Sequence, residues 1–567
     1  MSDTSTPTNT EIASLLEEFA DRLEATGVEY KPTAYRRAAD NIREQSQPVA
    51  ELTPDQLQEI DRVGEAIATK INEYVETDSI EELEALRGEM PIDIAALTSV
   101  EGVGPKTAGK LYTELDVRTL TDLEQAAQEN RIRDISGFGA KTEQNILENI
   151  QFAKEAQERE LLGDARPIAD ELLDLFDAHD AVDECEVAGS IRRWRPTIGD
   201  VDILVGSDSP EDVVEMFVDQ ANQVIESGSK KASIRYRGVR TDLRIVDADQ
   251  FGSALQYFTG SKEHNVTLRN YALDQDISLN EYGAFDADKG TDSERLAGQT
   301  EESMYDILGL EWIPPELRED RGEIDAAAAG DLPDLIIHAD LRGDLHVHTD
   351  WSDGRRTIEE MITGAAEYGH EYIAITDHAS GPGIVGSVGL SDSELRDQIE
   401  RVHEVDADAP IDVLTGVETN ITADGDLSTS DELLADLDIV VASPHSGLGG
   451  DGTDRLIAAM EHPDVDIIGH PSGRLINQRS GLSFDATALG EAAARTDTAL
   501  EVNSNPARLD LWGEVIKEAI DTGAQIAINT DSHSIPEYEY LRFGVHTARR
   551  GWATADDIIN TMPADSL

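Results

Sequence analysis

The first 160 residues place apolar positions at helical spacing. Ile12, Leu15, Leu16, Phe19 and Leu23 fall along one face of a helix predicted within residues 10–45, after a polar start expected to be disordered. Short helical segments follow, punctuated by IDRVGEAIATKI, VEGVGPKTAGKLY and ISGFGAKTEQNIL. Each unit has an aliphatic residue, a small loop carrying Gly64, Gly102 and Gly104, or Gly137 and Gly139, and then a helix start. Glycine permits the tight turn, and the free backbone N–H groups of the helix start suit a phosphate. Three copies point to helix-hairpin-helix elements that grip a DNA backbone without reading its sequence, with Lys106 and Lys141 beside the loops.

From about residue 165 the pattern changes to helix mixed with β-branched runs, among them CEVAGSI, DVDILVG and DLRIVDA. After PPELRE comes RGEIDAAAAGDLPDL, rich in Ala, Asp and Gly, which reads as a linker. Beyond residue 341 aliphatic runs such as GDLHVHTD, EYIAITDH, DIVVASPHS and AQIAINTDSH alternate with helical stretches. That alternation predicts a separate domain built on a parallel α/β sheet, open or closed into a barrel, with its chemistry at the C-terminal strand ends.

Composition narrows the setting. The chain has 567 residues and 39% hydrophobic content, ordinary for soluble domains and enough for several cores. No apolar run is long enough to span a bilayer, the N-terminus lacks a signal-peptide pattern, and Cys185 is the single cysteine. A cytoplasmic location is the expectation, with no disulfide framework and no cysteine-built zinc site. The net charge of −70 runs against nucleic-acid binding, since phosphates would be repelled. The acidic residues are dispersed, however, and only 11 of 46 Lys and Arg are Lys, as in a protein adapted to molar salt. At ~1 M salt the Debye length is only ~3 Å, so distant carboxylates barely act on a DNA strand.

Asp200 and Asp202, two apart on a predicted strand in GSIRRWRPTIGDVDILV, point the same way. With Asp242 from RGVRTDLRIV they compose a carboxylate set suited to two divalent cations and in-line phosphoryl transfer. One cation would acidify an attacking 3′-hydroxyl and the other would neutralise charge on the leaving pyrophosphate. Ser190 and Arg193 are placed to hold the outer phosphates of a triphosphate. Farther on, nine residues sit at the ends of aliphatic runs: His346, His348, Asp353, His378, Glu418, His445, His470, Asp531 and His533. They are too many for one ion and suit a cluster of two or three transition metals, Mn²⁺ or Zn²⁺, with open positions for phosphate and water. Asp377 is expected to support these ligands from behind.

The run G-S-x-R-R, six residues, then D-x-D resembles the nucleotidyltransferase signature of family X DNA polymerases, and LQYFTGSKEHNVTLRNYAL resembles that family's nucleotide-selecting segment. The resemblance implies Mg²⁺ or Mn²⁺ on Asp200, Asp202 and Asp242, and nucleotide contacts from Ser190, Arg193, Gly199 and Gly260. It implies that Tyr257 and Phe258 pack under the sugar, and that Asn265 and Arg269 read the minor-groove side of the nascent pair. Lys70 matches the family's Schiff-base lysine, a role that demands a lowered amine pKa; Ala66 stands where a basic neighbour is expected.

The histidine-rich region resembles the polymerase and histidinol phosphatase (PHP) domain, with Arg508 at a position near the substrate phosphate. Fusion to a polymerase implies 3′–5′ exonuclease, and with it 3′-phosphatase or abasic-site endonuclease activity. The implied organisation is a multidomain chain: an all-α helix-hairpin-helix front, an α+β nucleotidyltransferase palm with thumb, and a C-terminal α/β distorted barrel. Its segments are a lyase-like domain (1–88), a second helical DNA-binding domain (89–160), palm (161–258), thumb (259–320), linker (321–340) and PHP domain (341–567). DNA, gapped or primer–template, and dNTPs are the implied partners, acting on a monomer. Two rivals stay open: a small-molecule phosphoesterase whose front half only tethers DNA, and a non-catalytic DNA-end scaffold.

Overall fold

The computed structural model describes residues 7–567 other than 8, 29, 44–47, 59, 61, 78, 101, 157–158, 385–387 and 408. Most of the polar start expected to be disordered therefore lies outside the described residues. The chain divides into two compact units, Met1–Glu158 with Asn477–Arg479, and Arg159–Ile476 with Ser480–Leu567.

The first unit is helical. Helix α1 (Asn9–Ala25) buries Ile12, Ala13, Leu16, Phe19, Ala20 and Leu23, the stripe expected from the spacing, against α2 (Lys31–Arg43). Leu15 is only partly buried at its edge. The three glycine loops each feed a helix: α3 (Glu65–Thr77), α4 (Pro105–Leu115) and α5 (Ala140–Ala156). Gly104 is the N-cap of α4 and Pro105 its first residue, where a missing N–H costs nothing. Gly102 and Gly137 have φ of +86° and +92°, which only glycine adopts without strain.

In the second unit, strands β1 (Glu184–Val187) and β2 (Val201–Gly206) flank helix α6 (Gly189–Arg192). With β3 (Gln223–Ser227), β4 (Lys231–Tyr236) and β5 (Val239–Val246) they form a five-stranded sheet in the order β1-β2-β5-β4-β3. Along β5 the pleat turns Val239, Thr241, Leu243 and Ile245 into the core, and Arg240, Asp242 and Arg244 to the opposite face. Helices α7 (Phe251–Thr259) and α8 (Lys262–Leu273) follow, then a hairpin of Ile277–Asn280 with Gly283–Asp286. Tyr257 and Phe258 thus lie in the last turn of α7.

The stretch read as a linker is not bare coil. It carries helix α9 (Glu323–Ala329), whose Ile324 and Ala327 are buried in one cluster with Leu268, Tyr305 and Leu317. Ala327 alone of its alanines is buried, beside Ile324, while Ala328 and Ala329 stay exposed.

Seven parallel strands follow in sequence order: β6 (Gly343–Val347), β7 (Tyr372–Ile375), β8 (Asp412–Asn420), β9 (Ile439–Ser443), β10 (Ile467–Ile468), β11 (Ala499–Asn503) and β12 (Ile526–Asn529). A parallel bridge between Val347 and Ser532 brings the ends of the sheet together into a nearly closed barrel. Most strand residues are buried on both faces, as expected where helices cover a parallel sheet.

The stretches expected as palm, thumb and C-terminal barrel pack together into one compact unit. Leu509 and Phe543 of the barrel region join the palm core, and Arg542, on helix α10 (Leu541–Arg550), reaches Asp170 at 2.9 Å. Among the described residues no helix is long and apolar enough to cross a membrane.

Candidate active sites

Three carboxylates meet at the palm. Asp202 on β2 stands in register with Asp242 on the adjacent parallel strand β5, and Asp200 immediately precedes β2. One oxygen from each lies within 4.8 Å of the others. Burial pushes the Asp202 carboxyl up to about 7, with Asp200 and Asp242 adding to the rise. Burial, and then Asp242, also raise Asp200. Arg240 offsets part of the charge, donating to both oxygens of Asp242 at 3.1 and 2.9 Å. Hard carboxylate oxygens crowded this closely fit divalent cations, which would relieve their mutual repulsion.

Of the predicted nucleotide residues, Phe258 lines a cavity with Asp202 and Asp242. Ser190 lies in α6, and Gly199 immediately precedes Asp200. Arg193 donates to Thr259 O at 2.5 Å and to Glu319 at 3.1 Å. Gly260, at φ +70°, leaves room for the guanidinium of Arg193, which a Cβ there would meet at 3.2 Å. Tyr257 and Phe258 pack edge to face at 5.1 Å, and Arg244 covers the Phe258 ring at 4.3 Å. Asn265 donates to Tyr257 O at 2.7 Å and accepts from Gln256 at 2.8 Å, while Arg269, one turn farther along α8, is exposed. A cavity of about 270 Å³ lined by Asp202, Asp242, Arg240, Arg244, Lys231 and Phe258, among others, opens beside the carboxylates.

Sequence reading missed the support behind this loop. Arg192 makes a two-pronged contact with Glu301 at 2.7 and 3.0 Å, and Arg318 and Trp312 complete the carboxylate's hydrogen bonds at 2.6 and 2.9 Å. Burial opposes charge on Glu301, but Arg318 and Arg192 outweigh it and hold the carboxyl far below its usual range. The acid lies more than a hundred residues from Arg192, so no local spacing could have announced it.

All nine predicted ligands of the barrel converge at the ends of its strands. Glu418 on β8 is central, with His378 at 2.5 Å, His470 at 3.0 Å, His445 at 3.2 Å, His346 at 3.6 Å and His348 at 3.7 Å. Asp531 reaches His348 at 3.1 Å, and Asp353 lies 3.2 Å from His533 and 3.5 Å from His378. Their donor atoms form three overlapping groups: His348, Asp353, His378 and His533; His346, His348 and Glu418; and His378, Glu418 and His445.

The chemistry of these atoms suits metal ions. Both oxygens of Glu418 and the Nε2 atoms of His346, His348 and His445 are buried without a hydrogen-bond partner. Orphaned donors of this kind are costly unless a cation takes them up.

Outer contacts orient the rings. Glu501 binds His346 Nδ1 at 2.7 Å and accepts from His470 N at 2.6 Å, and Asn420 holds His445 Nδ1 at 2.8 Å. A charged residue amid the aliphatic run ALEVN was the available signal for Glu501, and it went unread. Asp377 ties down the turn after β6 through Thr349 N and Oγ1, Ser352 Oγ and Gln398 Nε2. Arg508 Nε lies 3.7 Å from Asp531.

In the helical unit, Gly64, Gly102, Gly104 and Gly139 face open space, as a backbone-gripping loop needs, and Lys106 and Lys141 are exposed at the starts of α4 and α5. Lys110 on α4 ties that helix to the Gly137 loop by donating to Ser136 O. Lys70 on α3 is bonded to Glu82 at 2.6 Å and lies 5.2 Å from the Phe19 ring. Partial burial works against its charge, but Glu82 prevails and raises the amine pKa. That is the reverse of the shift a Schiff-base nucleophile requires.

Comparison with known proteins agrees with this layout. Residues 7–80 match a helix-hairpin-helix domain, 54–116 and 94–151 a SAM-like helix-hairpin-helix tandem, 254–319 the DNA polymerase beta thumb, and 344–503 the PHP domain. The DNA polymerase/3′-5′ exonuclease PolX of Bacillus subtilis (strain 168) is 35% identical over 561 residues, covering 97% of each chain. Human DNA-directed DNA/RNA polymerase mu is 27% identical over 55% of this chain and 69% of its own, and rat DNA polymerase lambda 25% over 55% and 56%. With a full-length relative at this identity, the chain belongs to the family X DNA polymerases that carry a C-terminal PHP domain.

Proposed function

We propose that this protein is a DNA repair polymerase that lengthens primer ends at Asp200, Asp202 and Asp242 and shortens 3′ ends at its histidine-rich centre. The observation that carries the reading is the presence in one unit of two separate cation-ready clusters, one all-carboxylate and one mainly imidazole. That the Bacillus subtilis relative is a DNA polymerase and 3′-5′ exonuclease supports both activities.

At the palm, bound Mg²⁺ or Mn²⁺ would supply charge neutralisation and acidify the primer hydroxyl. The chain's own residues position the substrates: Ser190, Arg193, Gly199 and Gly260 hold the triphosphate, Tyr257 and Phe258 pack under the sugar, and Asn265 and Arg269 read the nascent pair. At the barrel, Mn²⁺ or Zn²⁺ would supply Lewis acidity and an activated water. Glu501 and Asn420 fix the imidazole planes there, and Arg508 offers a cation to the substrate phosphate. The same chemistry extends to 3′-phosphates and abasic sites.

The division of labour we assign is helical DNA binding by 1–88 and 89–160, palm 161–258, thumb 259–320, a connecting segment 321–340 and the phosphoesterase 341–567. Gly64, Gly102, Gly104, Gly137 and Gly139, with Lys106 and Lys141, contact the DNA backbone. Lys70, held charged by Glu82, serves as a cation on that surface rather than as a nucleophile. The net charge of −70 supports our reading of a high-salt cytoplasmic setting, in which the protein acts as a monomer on gapped or primer–template DNA with dNTPs. A small-molecule phosphoesterase would leave Asp200, Asp202 and Asp242 without a role.

The test is to incubate the purified protein in molar KCl with a labelled gapped duplex, Mg²⁺ and Mn²⁺, with and without dNTPs. The primer should lengthen with dNTPs and shorten without them. A primer unchanged in both arms, under every metal tried, would refute the assignment.

A further inference from the structure

The loop that carries Arg193 is held from outside the polymerase fold. Its backbone carbonyl, Arg193 O, accepts a hydrogen bond from Arg550 Nη1 at 2.7 Å, at the C-terminal end of α10 in the barrel region. The same Nη1 reaches Glu319 Oε1 at 3.1 Å, the oxygen to which Arg193 Nε also donates at 3.1 Å. Arg195 lies 3.4 Å from the second oxygen of Glu319. One carboxylate is therefore shared by three guanidiniums, two from the nucleotide loop and one from the phosphoesterase domain. Arg550 is 5% exposed, so the contact is a built one and not a surface encounter.

Two further contacts join the loop to the same helix. Trp194 stacks on His546 at 3.6 Å with the planes 5° apart, and His546 in turn bonds Glu316 at 2.7 Å. On the side facing helix α10 the loop borders open space. Trp194, Arg195 and Pro196 border a cavity of about 270 Å³ whose other walls include Arg474, Trp512 and Arg550. The clamp therefore lies on the cavity side of the loop, while Arg195 N–Ser190 O at 3.1 Å and the Arg192–Glu301 pair hold its other side.

We propose that Arg550 is a positioning residue for nucleotide addition: it clamps Arg193 O and shares Glu319, so that the Arg193 guanidinium is presented to the incoming triphosphate. This rests on the reading of Arg193 as a triphosphate ligand. The electrostatic argument is competition. Glu319 alone with Arg193 would hold that guanidinium in a tight pair, away from substrate. Arg550 and Arg195 satisfy the carboxylate's remaining lone pairs and leave an excess of positive charge at the loop, which suits a triphosphate.

The experiment compares Arg550→Gln and Arg550→Lys with the unaltered full chain. It measures KM and kcat for a dNTP, KM for the gapped DNA, and exonuclease rate on the same DNA without dNTPs. Arg550→Gln should raise the dNTP KM roughly tenfold, the scale of one charged hydrogen bond. Arg550→Lys should fall between the two, while DNA KM and exonuclease rate stay within twofold. A folded variant with intact exonuclease and an unchanged dNTP KM would overturn the proposal. So would equal loss of both activities in both variants, which marks Arg550 as structural only. If the unaltered chain adds no nucleotides, it is the polymerase reading that fails.

Discussion

Gly189 lies directly beneath the carboxylate of Asp202: a Cβ built on it would sit 2.1 Å from Oδ2, and its φ of +59° disfavours any side chain. The opening residue of α6 thus has to be glycine for Asp202 to reach its neighbours.

Replacing Gly189 with Ala is accordingly expected to cut nucleotide addition by at least a hundredfold, because Asp202 must swing away from Asp200 and Asp242. Exonuclease activity should persist, since the barrel cluster is built from other strands. Primer-extension rates of the variant near those of the unaltered protein would show that the carboxylate tolerates displacement.

Asp242→Ala should abolish primer lengthening while leaving 3′-end shortening intact, and His346→Ala should do the opposite. Both follow from two clusters that share no ligand. A single substitution that removed both activities in a folded protein would replace the two-site picture with one shared centre.

Glu501 touches no predicted substrate, yet it anchors His346 at 2.7 Å and the His470 backbone at 2.6 Å. Glu501→Gln is expected to weaken metal binding at the barrel roughly 10- to 100-fold, the usual penalty for losing such an outer contact. Titrating metal-free protein with Mn²⁺ or Zn²⁺ by calorimetry reads this directly. Affinity unchanged within twofold would demote Glu501 to a packing residue.

Glu316 links the thumb side to helix α10 through His546 and Arg549, both at 2.7 Å. Burial opposes its charge, but the His546 hydrogen bond and the Arg549 cation hold the carboxyl down at about 2. Burial lowers the pKa of His546, with Glu316 partly opposing that shift. A depressed carboxyl stabilises the fold above its ordinary pKa of 4.5 and loses that contribution as pH falls through about 2. The contribution at neutral pH is on the order of 3 kcal/mol. Urea unfolding of Glu316→Gln should therefore show a deficit near pH 7 that shrinks steadily below pH 4.5. A deficit of constant size down to pH 2 would trace the stabilisation to packing instead.

Much of the site was legible along the chain because its residues announce themselves locally. Asp200 and Asp202 lie two residues apart beside one strand, the clustered histidines and acids of the barrel fall at strand ends, and the glycine loops repeat with the same grammar. Other features depended on residues far apart in sequence. The register that sets Asp242 against Asp202 comes from pairing two parallel strands across an intervening hairpin. The stretch 323–329 read as linker because its helix is decided by the cluster that receives it.

The amino-acid order alone determined which chemistries the protein holds, since short-range periodicity decides what faces the same way. Only tertiary structure decided what those groups touch: Glu301 with Arg192, Glu501 with His346, and Arg550 with the Arg193 carbonyl. Such partners are brought together by core packing over hundreds of residues, and burial then gives their charges most of their strength.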